Sequence, residues 1–497
     1  MATDGKSAGP SPYDTYQTSL TARYCSPAMA RLFSQRSRHS QWRKLWLLLA
    51  ESERELGIET ITPEALEQMR QHLEVTDQDF EVARVEEKIR RHDVMAHVHA
   101  FGAVAPAAAG IIHYGATSCF VTDNAELVLM RDAMDLLLPR LAKVISNLSK
   151  LAREWKSTPT LAYTHLQPDD SADLCLVGKR AAQWAQDLVF DLESIEHVRN
   201  GLLLRGAQGT TGTQASFLEI FGGDGAKCDQ LNELLCKKAG FPACYDVSTQ
   251  TYTRKVDLLV ANAICGLGAT AQKIAGDIRH LASWQEAEEP FEVNQIGSSA
   301  MAFKRNPMRS ERVSSLAREL LSKQATTANT LAAQWMERSL DDSAVRRMDL
   351  PEMFLLADAI IGSLDNITDG MVIYPQVIAS RVQEQLPFMV TENIIMKLCA
   401  KGVSRQEAHE QIRVLSHQAA RVVKLEGKPN DLISRIKATE FFQPIWPELD
   451  AMMKPELYIG RSAEIVERYC GVEGVAEKKI QRYRAIFEKS ATTELNV

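Results

Sequence analysis

The chain has 497 residues, of which 45% are hydrophobic and 24% are charged. This balance is typical of globular proteins, so it excludes wholesale disorder, and the length predicts about two to four domains. The formal net charge of -7 argues against a nucleic-acid or membrane-surface partner, although local basic clusters can still hold small anions. The sequence alone indicates no uninterrupted apolar run long enough to span a bilayer, so no membrane partner is expected.

The N-terminal segment is polar, and the cysteines are scattered along the chain. The first 20 residues are polar and rich in Gly, Ser and Pro, so they are predicted to form a disordered tail. The nine cysteines are odd in number, and none forms a C-x-x-C pair. Reduced thiols in a cytoplasmic protein are the simplest interpretation, and zinc binding through cysteine is not expected.

Helical periodicity dominates the chain after the tail. Between Met134 and Leu151, apolar residues recur at spacings of three and four, which predicts a helix that packs on another helix. Pro139 lies inside this pattern and predicts either a kink or a break near Leu138.

Two further helical runs follow, one from Lys255 towards Pro290 and one from about Met308 to Trp335. Helices of roughly 25–30 residues are about 40 Å long at ~1.5 Å per residue, which indicates an elongated bundle. Glycines within the first run would let neighbouring helices approach closely. Apolar seams on such helices make a homo-oligomer the expected state, with one larger monomeric bundle as the alternative.

The organisation predicted from these patterns is all-α. Few segments alternate like a β-strand, and no repeat or glycine-rich nucleotide motif is present. Helix-breaking residues near Gly115 and in the segment Gly370 to Gln376 suggest two boundaries. The predicted units are a tail 1–20, an N-terminal helical domain 21–117, a central long-helix domain 118–373 and a C-terminal helical domain 374–497.

Three histidines lie in the segment RRHDVMAHVH, which begins at Arg90. On a helix His92 and His99 would share a face, whereas His97 would point elsewhere. The zinc-helix spacing H-E-x-x-H is absent, which argues against a metal site. Two interpretations stay open: histidines that are merely packed or solvated, and an anion site in which Arg90, Arg91 and His92 hold a phosphate or carboxylate.

Three segments dense in Gly, Ser and Thr begin at Gly115, Gly209 and Gly297. Such residues often form simple turns, yet their N–H and hydroxyl groups also bind carboxylates. The segment YTHLQ places His165 near a predicted helix start, where a structural role is the alternative to acid/base catalysis. The segment ERSLDDSAVRR, ending at Arg347, is either a solvated helix face or a phosphate grip of arginines around a serine.

These parts together fit a substrate that carries several carboxylates or a phosphate. Removing a proton next to a carboxylate builds negative charge, which fixed donors and a lysine ammonium stabilise. A serine hydroxyl is a poor base unless neighbours stabilise its anion. Ser298 or Ser299, with Lys304 nearby, fits that role on a mobile loop that closes over substrate.

A family resemblance adds to this interpretation. The segment GSSAMAFKRNP resembles the G-S-x-x-M-x-x-K-x-N signature of the fumarase/aspartase superfamily, whose members eliminate fumarate from a succinyl-bearing substrate. Within it, the chain resembles the adenylosuccinate lyase family through segments that run in order along nearly the whole chain: ARYCSP, RRHDVMAHVH, GATSCFVTDN, THLQ, GTTGTQASF, QTYTRK, KRNPMRSER, LDDSAVRR and PFMVTENIIM.

The resemblance implies a nearly all-helical subunit of three domains, and a homotetramer whose core is formed by the central long helices. Each active site would draw on three subunits. The implied reactions release fumarate from adenylosuccinate, giving AMP, and from succinylated aminoimidazole carboxamide ribotide (SAICAR), giving the free carboxamide AICAR. No metal or organic cofactor is implied.

The resemblance also implies residue roles. Ser298 resembles the base that removes the proton from the succinyl β-carbon, and His165 resembles the acid that protonates the departing nitrogen. His92 would contact the phosphate and help orient His165, while Lys304 would bind a succinyl carboxylate. The other residues implied to bind substrate are Arg23, Tyr24, Arg91, Asp93, Thr117, Ser118, Thr164, Gln167, Gln250, Asn306, Arg312, Arg338, Ser343 and Arg347.

Two features differ from the family pattern. Ala302 stands where relatives usually carry proline, which fixes φ, so a more mobile loop is predicted. The passage after Gln167 is longer than in relatives and contains Asp169, Asp170 and Asp173. These acidic groups either bulge into solvent or alter activity, because negative charge beside an anion site disfavours binding.

Three alternative functions stay open. The first is another lyase of the superfamily, of the argininosuccinate lyase or fumarase type, against which the phosphate-type arginines argue. The second is a catalytically inactive structural homologue, against which the intact set Ser298, His165 and Lys304 argues. The third is a serine–lysine hydrolase using Ser299, against which the missing S-x-x-K spacing argues.

Overall fold

The structure, a computed structural model, describes residues 16–168, 174–292, 295–296, 300–301 and 303–495. The described part is built almost wholly of helices, as the sequence predicts, with six strands of two or three residues. The predicted features that fall outside the described residues are most of the tail 1–20, Ser298, Ser299, Ala302, Asp169, Asp170 and Asp173.

The N-terminal part is a set of helices whose starts are capped by side chains. Ser26, Ser34 and Thr62 each accept a backbone N–H of the helix that follows. Thr76 and Asp79 form a reciprocal capping box, which satisfies N–H groups that have no partner inside the helix. The elements are a π-helical turn Leu20–Tyr24, α1 Pro27–Leu32, α2 Gln35–Glu55, α3 Pro63–Gln71, α4 Asp77–Arg90, α5 Asp93–Val104 and a 3₁₀ turn Pro106–Ala108.

The central part is a bundle of five long helices with two short helices beside it. The elements are α6 Ser118–Glu154, α7 Val177–Asn200, α8 Ala215–Ile220, α9 Gly225–Ala239, α10 Lys255–Ser283, α11 Met308–Ala333 and α12 Asp342–Asp369. Helix α10 packs against α7, α11 and α12, while α6 packs against α7 and α12. The predicted apolar seams fill the core; fully buried examples are Met134, Leu137, Leu141, Val144, Leu148, Val260, Leu267, Ile274 and Ile278.

Glycine brings α10 and α11 together at one point. A Cβ atom on Gly268 would lie 3.1 Å from the side chain of Leu320, so a larger residue would push the helices apart. Gly276 does not act in this way, because a Cβ there would have no described atom within 4 Å. The predicted close approach therefore holds for Gly268 and not for every glycine of the run.

Helix α6 passes through Pro139 without a break. Proline removes one helical hydrogen bond and usually bends or ends a helix. Its neighbours Leu137, Leu138 and Leu141 are buried in the bundle, so tertiary packing holds the helix together across the proline. The alternative of a break near Leu138 is therefore wrong.

The strands form three small antiparallel sheets. In chain order they are β1 Pro159–Leu161, β2 Tyr163–Thr164, β3 Gln167–Pro168, β4 Leu174–Leu176, β5 Ala287–Glu288 and β6 Val372–Ile373. Strand β1 pairs with β4, β2 with β3, and β5 with β6. The first two sheets connect α6 to α7, and Gly178 lets the start of α7 approach α6, because a Cβ there would lie 2.2 Å from the Ala152 carbonyl oxygen.

The C-terminal part leaves the bundle and then returns to it. Its elements are α13 Pro375–Met389, α14 Thr391–Ala400, α15 Arg405–Glu426, α16 Leu432–Lys437, 3₁₀ turn Glu440–Ile445, α17 Trp446–Met452, 3₁₀ turn Pro455–Tyr458, α18 Ser462–Cys470, α19 Val475–Ile480, 3₁₀ turn Gln481–Tyr483 and α20 Arg484–Phe487. Helices α18, α19 and α20 pack on α6. The division into three domains stays a prediction, although α12 does end just before the helix-breaking segment.

One helix, α10, is long and apolar enough to cross a membrane by length and composition alone, although no such run was expected. More than half of its most apolar stretch is buried inside the protein. Buried core helices commonly have this composition, and α10 is the central helix of the bundle.

Candidate active site

Several predicted binding residues meet at one end of the bundle, formed by the starts of α6, α10 and α12, which we call the Gln250 end. Arg338 donates from Nη1 to Gln250 Oε1 at 3.1 Å and to Cys119 Sγ at 3.2 Å. Cys119 follows directly after Thr117 and Ser118, where α6 begins. A guanidinium group beside a helix start and two hydroxyl side chains is an arrangement that attracts anions.

A buried ion network underlies the Gln250 end. Arg254, which is 2% exposed, donates to Asp342 at 2.8 Å and to Asp123 at 3.0 Å. Burial alone would raise the pKa of Asp123, but the charges of Arg254 and Arg346 outweigh burial and lower it. Arg346 also donates to Asp257 at 2.7 Å. The end of the bundle is therefore fixed by charges that are paired in the protein interior.

Sequence reasoning missed this network, although its members lie inside the quoted motifs. Asp123 belongs to GATSCFVTDN, Arg254 to QTYTRK and Asp342 to LDDSAVRR. The available signal was a charged residue inside an otherwise small or polar motif. The proposed phosphate grip of ERSLDDSAVRR is wrong for Arg346, because its guanidinium pairs inward with Asp257.

Two predicted substrate-binding residues, Asp93 and Arg347, pair with each other. Arg347 Nη2 donates to Asp93 at 2.6 Å. Burial would raise the pKa of Asp93, but the hydrogen bond and charge of Arg347 outweigh burial and lower it. Ser343 lies one turn before Arg347 on α12, and Arg91, with φ of 55°, lies at the end of α4. The pair ties the N-terminal part to the Gln250 end.

The histidines of the same segment lie in separate environments. His92 precedes α5, and its Nδ1 accepts a backbone N–H of that helix at 3.3 Å. The expectation that His92 and His99 share a helical face is therefore wrong, because His92 is the capping residue. The side chain of His92 is 45% exposed, so it is accessible to a ligand. His97 is buried against His39, and burial lowers its pKa to about 4.

A neighbouring carboxylate lowers the positive charge that Arg90, Arg91 and His92 could offer to an anion. Glu86 accepts from Arg90 at 2.7 Å and contacts His99 at 3.3 Å. Within the described residues, no group of three or more His, Cys, Asp or Glu side chains is arranged to hold a metal ion.

A second cluster joins three predicted binding residues away from the Gln250 end. The guanidinium carbon of Arg312 lies 5.2 Å from the centre of the Tyr24 ring. Burial lowers the pKa of Arg312, and the positive charge of Arg23 lowers it further. The cluster lies towards the far end of α12, since Arg309, one turn earlier on α11, donates to Asn366 at 2.7 Å.

His165 lies at the tip of a β-hairpin. Thr164 pairs with Gln167, so His165 and Leu166 form a two-residue turn. Their φ values are 51° and 58°, the pattern of a type I′ turn. The expectation of a helix start is wrong, because α7 begins only at Val177. No pattern in the sequence indicated the hairpin, because its strands are too short to show alternation. All four residues from Thr164 to Gln167 are exposed.

Lys304 and Asn306 lie just before α11. Lys304 is exposed, and its backbone N–H donates to the Met301 carbonyl oxygen at 3.2 Å. The start of α11 is held by Glu289, whose carboxylate accepts two first-turn N–H groups at 3.0 and 2.5 Å. Burial raises the pKa of Glu289 in spite of these hydrogen bonds. Neither Glu289 nor Arg309 was selected from the sequence, although both flank the signature segment.

One chain does not bring all of these residues together. Gln250 lies just before α10, whereas the ring of Tyr163, next to the His165 turn, stacks on Trp284 just after α10. Helix α10 has 29 residues, which corresponds to about 43 Å at ~1.5 Å per residue. The Gln250 end and the hairpin therefore lie at opposite ends of the bundle, and the predicted residues at these two ends do not form one site within a single chain.

Comparison with solved structures identifies the fold. A crystal structure of 3-carboxy-cis,cis-muconate lactonizing enzyme from Pseudomonas putida superposes with a TM-score of 0.78 at 22% identity, covering 94% of this chain and 100% of that chain. A fumarate lyase from Mesorhizobium sp. BNC1 gives 0.76 at 22% identity, over 92% of this chain and 99% of that chain. A family model described as Lyase matches residues 22–321. The helical bundle is thus that of the fumarase/aspartase superfamily, and the protein is a lyase.

The sequence comparisons are more specific. A model described as the adenylosuccinate lyase C-terminus matches residues 387–469. The adenylosuccinate lyase of Saccharomyces cerevisiae is 55% identical over 92% of this chain and 94% of its own length. That of Schizosaccharomyces pombe is 52% identical over 97% of this chain and 98% of its own. The chain belongs to the adenylosuccinate lyase family.

Proposed function

We propose that this lyase eliminates fumarate from adenylosuccinate, giving AMP, and from SAICAR, giving AICAR, in purine nucleotide biosynthesis. The observation that carries the proposal is the 55% identity over 92% of the chain to a relative named adenylosuccinate lyase. The contacts of Arg338 with Gln250 and with Cys119, the residue after Ser118, support it, since residues expected to bind one substrate meet in one place.

The proposed chemistry is proton removal followed by departure of the nitrogen. Ser298 takes the proton from the succinyl β-carbon, and the electrons move to expel the nitrogen from the neighbouring carbon as fumarate forms. Lys304 and Asn306 stabilise the negative charge that builds on the adjacent carboxylate. His165 gives a proton to the departing nitrogen, so that it leaves as a neutral amine.

The proposed binding groups divide between the two ends of the bundle. Phosphate ligands are drawn from both clusters: Arg23, Tyr24, Arg338, Ser343 and Arg347. The nucleotide is further contacted by Arg91, His92, Asp93 and Arg312, with His92 also orienting His165. The succinyl group and its junction with the nucleotide are held by Thr117, Ser118, Thr164, Gln167 and Gln250. This assignment rests on the family motifs.

A homotetramer with shared active sites is part of the proposal. The Gln250 end and the His165 hairpin lie at opposite ends of α10, so a complete site needs more than one subunit. Three subunits would contribute to each site. We place the enzyme in the cytoplasm, and its nine free cysteines are typical of proteins in that reducing compartment. Its proposed partners are small-molecule substrates, without nucleic acid, membrane or cofactor.

The test is direct. Purified protein is incubated with adenylosuccinate, and the loss of succinyl-purine absorbance and the release of fumarate are measured. Efficient cleavage is expected, and absence of fumarate at high enzyme concentration would refute the proposal. Argininosuccinate and malate serve as competing substrates, and faster turnover of either would move the protein to another branch of the superfamily.

A further inference from the structure

The turn that carries His165 has a backbone geometry that its residues do not favour. Type I′ turns need positive φ at both central positions, which is why asparagine and glycine usually occupy them. Here a histidine and Leu166 adopt φ values of 51° and 58°. Leu166 is 73% exposed, so burial of the tip does not compensate for this conformation. The hairpin must be held from its base.

The base of the hairpin is held by one aromatic residue. The ring of Tyr163 stacks on Trp284, with 4.3 Å between ring centres and an interplanar angle of 18°. The hydroxyl of Tyr163 accepts a hydrogen bond from Arg381 Nη2 at 2.8 Å. Tyr163 lies two residues before His165 and opposite Pro168, so its position sets the base of both strands.

Arg381 is itself fixed by a buried acid. Its Nε donates to Glu286 Oε1 at 2.8 Å, and Glu286 is only 1% exposed. The guanidinium carbon of Arg381 also lies 5.5 Å from the centre of the Trp284 ring. Arg381 comes from α13, whereas Trp284 and Glu286 follow α10, so two separate segments converge on Tyr163. We call Tyr163, Trp284, Glu286 and Arg381 the Tyr163 clamp.

We propose that the Tyr163 clamp positions His165 for proton transfer, with Arg381 and Tyr163 as positioning residues. The inference rests on the proposed function, in which His165 protonates the departing nitrogen. A guanidinium that bridges a buried carboxylate and a phenol, while lying on an indole ring, has little freedom to move. A displacement of about 1 Å in a catalytic group is enough to reduce the rate about 100-fold.

The experiment compares two clamp variants with a matched control. Arg381→Gln removes the bridge, and Tyr163→Phe removes one hydrogen bond while it keeps the ring. Arg413→Gln is the control, because Arg413 lies in the same C-terminal part and pairs with Glu410 at the exposed surface. For each full-length protein, kcat, KM and the melting temperature are measured with adenylosuccinate.

We expect Arg381→Gln to lower kcat about 30- to 100-fold with less than a threefold change in KM. Tyr163→Phe should lower kcat about 3- to 10-fold, and Arg381→Lys should fall between wild type and Arg381→Gln, because a lysine makes the contact to Glu286 without bridging to Tyr163. Arg413→Gln should match wild type. If the variants with lower kcat also have a proportionally lower melting temperature or a smaller folded fraction, the inference is overturned.

A double variant separates positioning from a merely structural role. If the clamp acts through His165, Arg381→Gln should cause no further loss of fumarate release in a His165→Ala background. Additive losses would overturn the inference. An inactive wild type would refute the proposed function, and with it this inference. An active wild type with unchanged kcat in Arg381→Gln and Tyr163→Phe would refute the inference alone.

Discussion

The Gln250 end and the hairpin end of the bundle are built on opposite principles. At the Gln250 end, arginines such as Arg254 are almost fully buried and bound by carboxylates in the protein interior. At the hairpin end, the residues from Thr164 to Gln167 are exposed, and the turn has an unfavourable backbone conformation. The buried charges of the Gln250 end are paired within one chain, whereas the hairpin end presents chemical groups that a single chain leaves open to solvent.

The difference follows from what each end is proposed to do. Binding the anionic groups of a substrate needs fixed positive charge, which buried ion pairs hold in place without further rearrangement. Proton transfer needs a group that reaches the substrate, and in the proposed shared site the substrate lies between subunits. The experiments below test whether loss of function and loss of stability separate in the same way.

The largest effect is expected when the proposed reacting groups are removed. His165→Ala and Ser298→Ala should each lower kcat by about 10²- to 10⁴-fold, because each removes a proton-transfer group, while substrate binding is largely kept. Turnover and substrate affinity are measured separately, the latter by calorimetry. His99→Ala is the control, since His99 contacts Glu86 at the surface. Near-normal kcat in either variant would contradict the assigned roles.

The Gln250 end should instead respond in stability. Arg254→Met leaves the buried carboxylates of Asp123 and Asp342 without their main partner, which typically lowers the free energy of unfolding by about 3–5 kcal/mol. Denaturant unfolding at constant protein concentration measures the change. Arg84→Met, which breaks only an exposed pair with Glu81, should leave unfolding unchanged. A stable Arg254→Met protein would show that the network is not what fixes this end.

A buried acid outside both ends, Glu53, lacks a partner within the described part of the chain, and burial changes its pKa. Glu53 on α2 is fully buried, its carboxylate has no hydrogen-bond partner among the described residues, and burial raises its pKa from 4.5 to about 9. Between these values the folded state holds a proton that the unfolded chain has lost. The contribution of Glu53 to stability is therefore most favourable at acidic pH and becomes less favourable as pH rises from about 4.5 towards 9.

Glu53→Gln should remove this dependence. Relative to the variant, the wild type should lose about 1 kcal/mol of unfolding free energy per pH unit between pH ~5 and ~8. Urea titrations at several pH values measure the slope. The exposed neighbour variant Glu55→Gln is the control, and parallel slopes in wild type and Glu53→Gln would show that Glu53 is ionised and solvated in the folded protein.

The sequence predicted the long helices because their apolar residues repeat over many turns, so that Met134 to Leu148 leave little doubt about period. It did not predict the His165 hairpin, since two-residue strands carry no period and the turn lacks glycine or asparagine. The ion network around Arg254 was also missed, because its carboxylates come from positions more than 80 residues away. Such pairings depend on topology, which local spacing does not contain. Ser298, the strongest motif residue, lies outside the described residues.

The smallest effect is expected from a conservative change at the Gln250 end. Arg338 reaches Gln250 and Cys119 with one nitrogen and lies 3.6 Å from Asp342 with another. Arg338→Lys keeps the charge but replaces a planar fork by a point charge, so it should raise KM about tenfold with a smaller change in kcat. Arg461→Lys, at an exposed pair with Glu464, is the matched control. The change is expected to alter binding and to leave the reacting groups intact. A loss confined to kcat would instead assign Arg338 to the chemical step, and the proposed difference in role between the two ends would be wrong.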